Sequence, residues 1–361
     1  MPTEVYKQLL EVMKKRGGPM AGMDIPEFFD MVEAMFTPEE AAVNNAMPRG
    51  RTTAKEMAEL MGKDEKEVGA ILESMADKGL CLGLTKDGKK VYQGERWLPG
   101  IFEYQLMPGK GTQREKTIAN LIGAYQRAYG AKTGPGPGGQ TFPTSRIITV
   151  DRTVEAENTV HTYDQMQTYI DKHDHIAAST CYCRHAADLR DQDIHGMPKD
   201  VCMQFGDMAQ YAVEHLGARK LNSQEAREVL DRAEEAGLIH LSGNMTDDVG
   251  FVCNCDRWHC GPVTGTLAQA KPGLLLNSGF EPQFDPDQCT ACETCIERCP
   301  PEALAMGDNG VPEVDLDRCF GCAVCATGCP TDAIAMVNKP GFPEPPADAK
   351  ALREAIRDSR V

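Results

Sequence analysis

Apolar positions between residues 54 and 94 change rhythm twice. Met57, Leu60 and Met61 gather on one side of a helix, and Val68, Ile71, Leu72 and Met75 recur at i, i+3, i+4 and i+7 on a second. "TTAKEMAELMGKDEKEVGAILESMADKGL" therefore predicts a helix–turn–helix. "CLGLTKDGKKVYQGE" follows as a hairpin turning at Asp87-Gly88, with Cys81 expected in its apolar core. Further on, "NSQEAREVLDRAEEAGLIH" predicts a helix capped by Asn222, with Glu225 at the capping-box position and a stop at Gly237. "FGDMAQYAVEHLG" predicts another, ended by Gly217, and "TYDQMQTYIDKHD" a third. "HIAAST" and "SRIITV" read as short strands, with the turn-rich "GPGPGG" before the latter.

These elements imply an α+β multidomain chain. Residues 1–97 are expected to form a helical, winged-helix-like module, 98–280 a mixed α/β middle domain with a cysteine-rich metal site, and 281–338 a ferredoxin-like domain. A Pro-rich segment and a closing helix fill 339–361. A winged helix commonly reads DNA, but the second helix carries Asp64, Glu65, Glu67, Glu73 and Asp77 against Lys66 and Lys78. Such a face repels phosphates, so a structural or protein-docking role is expected.

Whole-chain charge agrees. The 361 residues carry a net charge of −16, which argues against a nucleic-acid partner. No run approaches a membrane span, and the first residues lack the apolar centre of a secretory leader, so a cytoplasmic location without membrane insertion is expected. Fifteen cysteines, mostly in CxC or CxxC pairs, point to metal ligation rather than disulfides.

Cys289, Cys292, Cys295 and Cys299 run as CxxCxxCxxxCP, and Cys319, Cys322, Cys325 and Cys329 repeat it. "CPPEALAM" is echoed by "CPTDAIAM". In such runs the fourth cysteine ligates the other cluster. Cys289, Cys292, Cys295 and Cys329 are thus expected to hold one [4Fe–4S] cluster, and Cys319, Cys322, Cys325 and Cys299 a second. The segment resembles the bacterial two-cluster ferredoxins. Residues 281–340 contain eleven acids and three bases, a net of −8 that supplies half the chain's charge. That suits a redox partner with a basic docking surface.

Six more cysteines lie in the middle: Cys181 and Cys183 in "CYCRH", Cys202, and Cys253, Cys255 and Cys260 in "CNCDRWHC", with His185 and His259 beside them. Three readings stand: a third cluster on four of the six thiols, a closed structural zinc site of four cysteines or of three cysteines and a histidine, or a thiol/disulfide site or buried thiols. Arg184, His185, Trp258 and His259 are expected to pack against the thiols, the alternative being that they tune the sulfurs or touch a substrate, with His185 and His259 possible metal ligands. "CYCRH", the helix ending "AGLIH" and "CNC…C" together resemble a group of anaerobe proteins known as four-iron–four-sulfur binding proteins, over roughly residues 160–335. That resemblance implies a third metal or cluster site and electron transfer. No flavin, nicotinamide, molybdenum or corrinoid signature is present, so an electron-transfer protein or a subunit of an anaerobic redox complex is the expectation. An oxidoreductase acting at the middle cysteines is the alternative, and a redox sensor working through the winged helix ranks below it.

Overall fold

The computed structural model describes residues 3–133, 142–155, 165–247 and 249–359. "GPGPGG", His161 and the start of "TYDQMQTYIDKHD" lie outside them. The chain forms two compact units, each drawn from separate stretches of sequence. Among the described residues no helix is long and apolar enough to cross a membrane.

The first unit combines Met1–Gly136, Ser179–Asp193 and Asp207–Arg219. Its helix pair spans Ala54–Met61 and Glu65–Asp77. The first helix starts because the Thr53 hydroxyl accepts from the Glu56 amide at 3.2 Å while the Glu56 carboxylate accepts from the Thr53 amide at 2.7 Å. Asp64 caps the second by accepting from the Glu67 amide at 3.0 Å. The hairpin Cys81–Lys86 and Lys89–Gly94 turns at Asp87 (φ 49°) and Gly88 (φ 73°), both left-handed as a two-residue turn of type I′ demands. Arg51–Thr52 adds a third strand beside Lys89–Gly94.

Val68, Leu72, Met75 and Cys81 are buried as the periodicity requires, together with Phe28, Trp97, Phe102 and Tyr125. Leu60 departs from it and is 62% exposed. The eight-residue helix buries Met57 and Ala58, which centres the inner face between them and turns Leu60 outward. A later helix, Gly206–His215, belongs to this unit from Asp207 onward. Tyr211 donates its hydroxyl to the Ala76 carbonyl at 3.1 Å, Gln210 donates to the Thr85 carbonyl at 3.2 Å, and Asp207 accepts from both Arg51 and Lys86.

The second unit combines Pro137–Ala178, Ile194–Gly206 and Lys220–Val361. Its six-stranded sheet runs, edge to edge, Ser145–Ile147, Ile239–Gly243, Phe251–Cys255, Cys202–Phe205, Ile176–Ser179 and Arg219–Leu221. Because side chains alternate along a strand, its two faces bury different partners. Ile148, Met203, Phe205 and Val252 pack with Tyr169, Ile170, Val229 and Leu230 from the helices Met166–Lys172 and Ser223–Glu235. The latter helix begins on Asn222, whose side chain accepts from the Glu225 amide at 3.0 Å while Glu225 accepts from the Asn222 amide at 2.8 Å. Ile147, Ile239, Leu241 and Cys255 form the opposite core with Cys260, Phe320, Cys322 and Val324. The cysteine-rich C-terminal segment therefore covers one face of this sheet. It contains two antiparallel pairs, Phe280–Phe284 with Ile334–Asn338 and Leu304–Met306 with Pro312–Val314.

Candidate metal centre

The two cysteine runs repeat in backbone as well as in letters. Ala291 and Gly321, Glu293 and Ala323, and Glu302 and Asp332 occupy equivalent places in the runs, and all six are left-handed, with φ between 51° and 66°. Each run opens on an aspartate: the Cys289 amide donates to the Asp285 carbonyl at 3.0 Å and the Cys319 amide to the Asp315 carbonyl at 2.8 Å. The halves then cross, since Asp285 donates its amide to the Ala333 carbonyl and Asp315 its amide to the Ala303 carbonyl. This exchange places Cys299 beside the second run and Cys329 beside the first.

Backbone amides point at sulfur. Ala303 donates to Cys299 Sγ at 3.3 Å, Gly321 to Cys319 Sγ at 3.4 Å, and Ala333 to Cys329 Sγ at 3.3 Å. Cys299, Cys319, Cys322 and Cys325 line one cavity, walled by Pro282, Leu304, Phe320 and Met336. Burial pushes the Cys319 thiol up to about 11, and raises Cys322 and Cys325 as well. Bare thiolates are thus disfavoured in this apolar cradle, and metal charge is what stabilises them there. A thiol set with sulfur-directed amides and an apolar cradle fits iron–sulfur clusters.

The two expected ligand sets differ in exposure. Cys299, Cys319, Cys322 and Cys325 are all buried, whereas Cys292 is exposed and Cys289 and Cys329 are half-buried. The Thr294 hydroxyl and amide hold the Cys292 thiol below its usual value. Of the eleven acids in this region Glu281 and Asp285 are half-buried and the other nine exposed, so the charge is presented to solvent.

The middle cysteines divide between the units. Cys181 precedes the helix Tyr182–Leu189 and accepts the His185 amide at 2.9 Å; Cys183 lies within that helix. Arg184 and His185 are buried. Neither ring nitrogen of His185 is hydrogen-bonded, and Nε2 stands 3.7 Å from Glu115 Oε2. All of these belong to the first unit.

Cys202, Cys253, Cys255, Cys260 and His259 belong to the second. The Cys253 and Cys260 thiols contact the thiol of Cys255, and those contacts together with burial raise it well above its ordinary value. Asp256 makes this possible: its carboxylate accepts from the Trp258 amide at 2.9 Å and the His259 amide at 2.6 Å, folding the chain back so that Cys260 returns to Cys255. The same carboxylate lies 3.1 Å from His259 Nδ1. Trp258 departs from the expectation of packing: it is 45% exposed, and its ring lies tilted at 35° against His195 with centroids 4.3 Å apart. Nothing in the sequence linked His195 to Trp258, sixty-three positions away, whereas an aspartate opening a tight loop is a readable turn signal. Among the described residues, no three His, Cys, Asp or Glu side chains are already gathered as a site for a bare ion, and this includes the eight cysteines of the paired runs.

Residues 288–333 match the family of 4Fe-4S dicluster domains. No curated protein matches the chain. The match places a ferredoxin-like iron–sulfur domain near the C-terminus, on the same residues whose backbone repeats.

Proposed function

We propose that this iron–sulfur domain makes the chain a carrier of low-potential electrons, acting in the cytoplasm as an electron-transfer protein or as a subunit of an anaerobic redox complex. Two [4Fe–4S] clusters supply one-electron chemistry when bound. Cys289, Cys292, Cys295 and Cys329 hold the first, and Cys319, Cys322, Cys325 and Cys299 the second. The observation that carries this reading is the interlocked repeat, in which each run sends its fourth cysteine to the other half. Four of the proposed ligands sharing one cavity lends it further support.

The chain's own residues then have distinct tasks. Amides of Ala303, Gly321 and Ala333 stabilise negative charge on sulfur. The exposed Cys292, flanked by the exposed Asp287, Glu293 and Glu297, forms the port at which a partner with a basic surface docks. The helix pair and hairpin of the first unit make a winged-helix-like module whose acidic second helix serves protein docking. The middle cysteines hold a third centre.

Protein purified without oxygen tests the carrier reading. A reversible one-electron couple in voltammetry is expected, and transfer to a basic c-type cytochrome that slows as salt rises. Cys292→Ala is expected to remove one cluster's signal in electron paramagnetic resonance and to leave the other. A fully loaded protein that shows no reversible couple overturns the proposal.

A further inference from the structure

We infer that Cys202, Cys253, Cys255 and Cys260 together bind one soft, thiophilic metal centre, separate from the eight ferredoxin cysteines. This rests on the third-centre reading above and selects its ligands. The strand register carries the argument. Met203 pairs with Val252 and Gln204 with Phe251 in antiparallel sense, and the same register carried one residue further sets Cys202 opposite Cys253. Opposed residues share a face and stand roughly 5 Å apart. Cys255, two positions along the strand, joins them on that face, where Leu241 pairs with Cys253 and Ile239 with Cys255. The Asp256 turn supplies the fourth sulfur by returning Cys260 to Cys255.

Four thiols on one apolar patch are more than a disulfide uses. Cys253 and Cys255 are moreover spaced about 6.6 Å apart along an extended strand, near the long limit for bridging. Soft metal ions, by contrast, favour four thiolates, whether as a single zinc or as the irons of a cluster. The surroundings suit buried metal: Cys255 and Cys260 are 6% and 4% exposed. They share one apolar block with Phe320 and Cys322, so the centre adjoins the buried ligand set rather than the exposed one.

The test is metal and sulfide per chain on full-length protein purified without oxygen. About twelve irons, or about eight irons with one zinc, is the expected content. About eight irons without zinc removes the third-centre reading and this assignment with it. Cys202→Ser and Cys255→Ser are each expected to lose only the additional metal, keeping about eight irons, while Cys181→Ser and Cys183→Ser keep everything. Retention of the extra metal in Cys202→Ser, or its loss in Cys181→Ser, overturns the ligand set while the third centre stands. Alkylation mapping of the unmutated protein provides a readout independent of variant folding. Cys202, Cys253, Cys255 and Cys260 are expected to be protected together and to become reactive together when the extra metal is chelated. Reactivity of any one of them before chelation counts against the assignment.

Discussion

Gly321 sits between two proposed ligands with φ 66°, and a β-carbon on it would lie 2.2 Å from the Phe280 carbonyl oxygen and 2.4 Å from Ser278 Oγ. The equivalent residue of the first run is an alanine, Ala291, held in the same left-handed conformation. Conformation alone therefore does not require glycine; the approach of Phe280 does. Gly321→Ala is expected to strain this loop by about 1–3 kcal/mol and to displace Cys319 and Cys322. Iron per chain is then expected to fall by about four, with far-UV circular dichroism retained. Full iron in that variant would show that the loop relaxes without cost. The iron–sulfur domain was legible from the spacing of its two cysteine runs, which fall within the matched residues 288–333, because a cluster imposes its own ruler on the chain. Gly321's role was not, since its neighbour is forty-one positions away. Trp258's exposure was not legible for a related reason: residue type suggested burial, while its ring neighbour, His195, is sixty-three positions away.

Elements were readable wherever their ends carry their own chemistry. Asn222 with Glu225 and the Asp87-Gly88 turn are satisfied by neighbours a few residues off, so local sequence contains them whole. Placement of the helix Gly206–His215 was not readable, because it joins the first unit through the distant Arg51, Ala76, Thr85 and Lys86. Asp207 is the electrostatic pin. Partial burial raises its pKa, but hydrogen bonds and charge from Lys86 and Arg51 outweigh that and hold it below the usual carboxylate value. A depressed folded pKa means the stabilisation is full above the unfolded value of about 3.9 and is lost as pH falls through the folded one. All three side chains are more than a third exposed, so solvent screening keeps the effect small. Asp207→Asn is expected to cost about 0.5–1 kcal/mol at neutral pH. Urea titrations are expected to show that deficit shrinking with added salt and vanishing in acid. An equal deficit at low pH would assign the loss to packing instead.

On the scale of the whole chain, composition conveyed the acidic, cysteine-rich character and the order of secondary structures conveyed a mixed architecture. What it did not convey is the weaving: each unit borrows stretches from both sides of the other, and strands Ser145–Ile147 and Ile239–Gly243 become neighbours across ninety residues. Contacts of that range leave no local periodicity to read. The unequal burial of the two proposed ligand sets has a consequence for the protein's life in air. Oxidants attack sulfur and iron where they can reach them, so damage is expected to start at the exposed Cys292 before it reaches the buried Cys299, Cys319, Cys322 and Cys325. Iron released to a coloured chelator after exposure to oxygen is expected in two stages, with about four ions lost early from the first set. A single-stage loss would mean that both sets are equally vulnerable. Ageing in air is thus expected to pass through a half-loaded form, one that has lost its external contact while its interior is still intact.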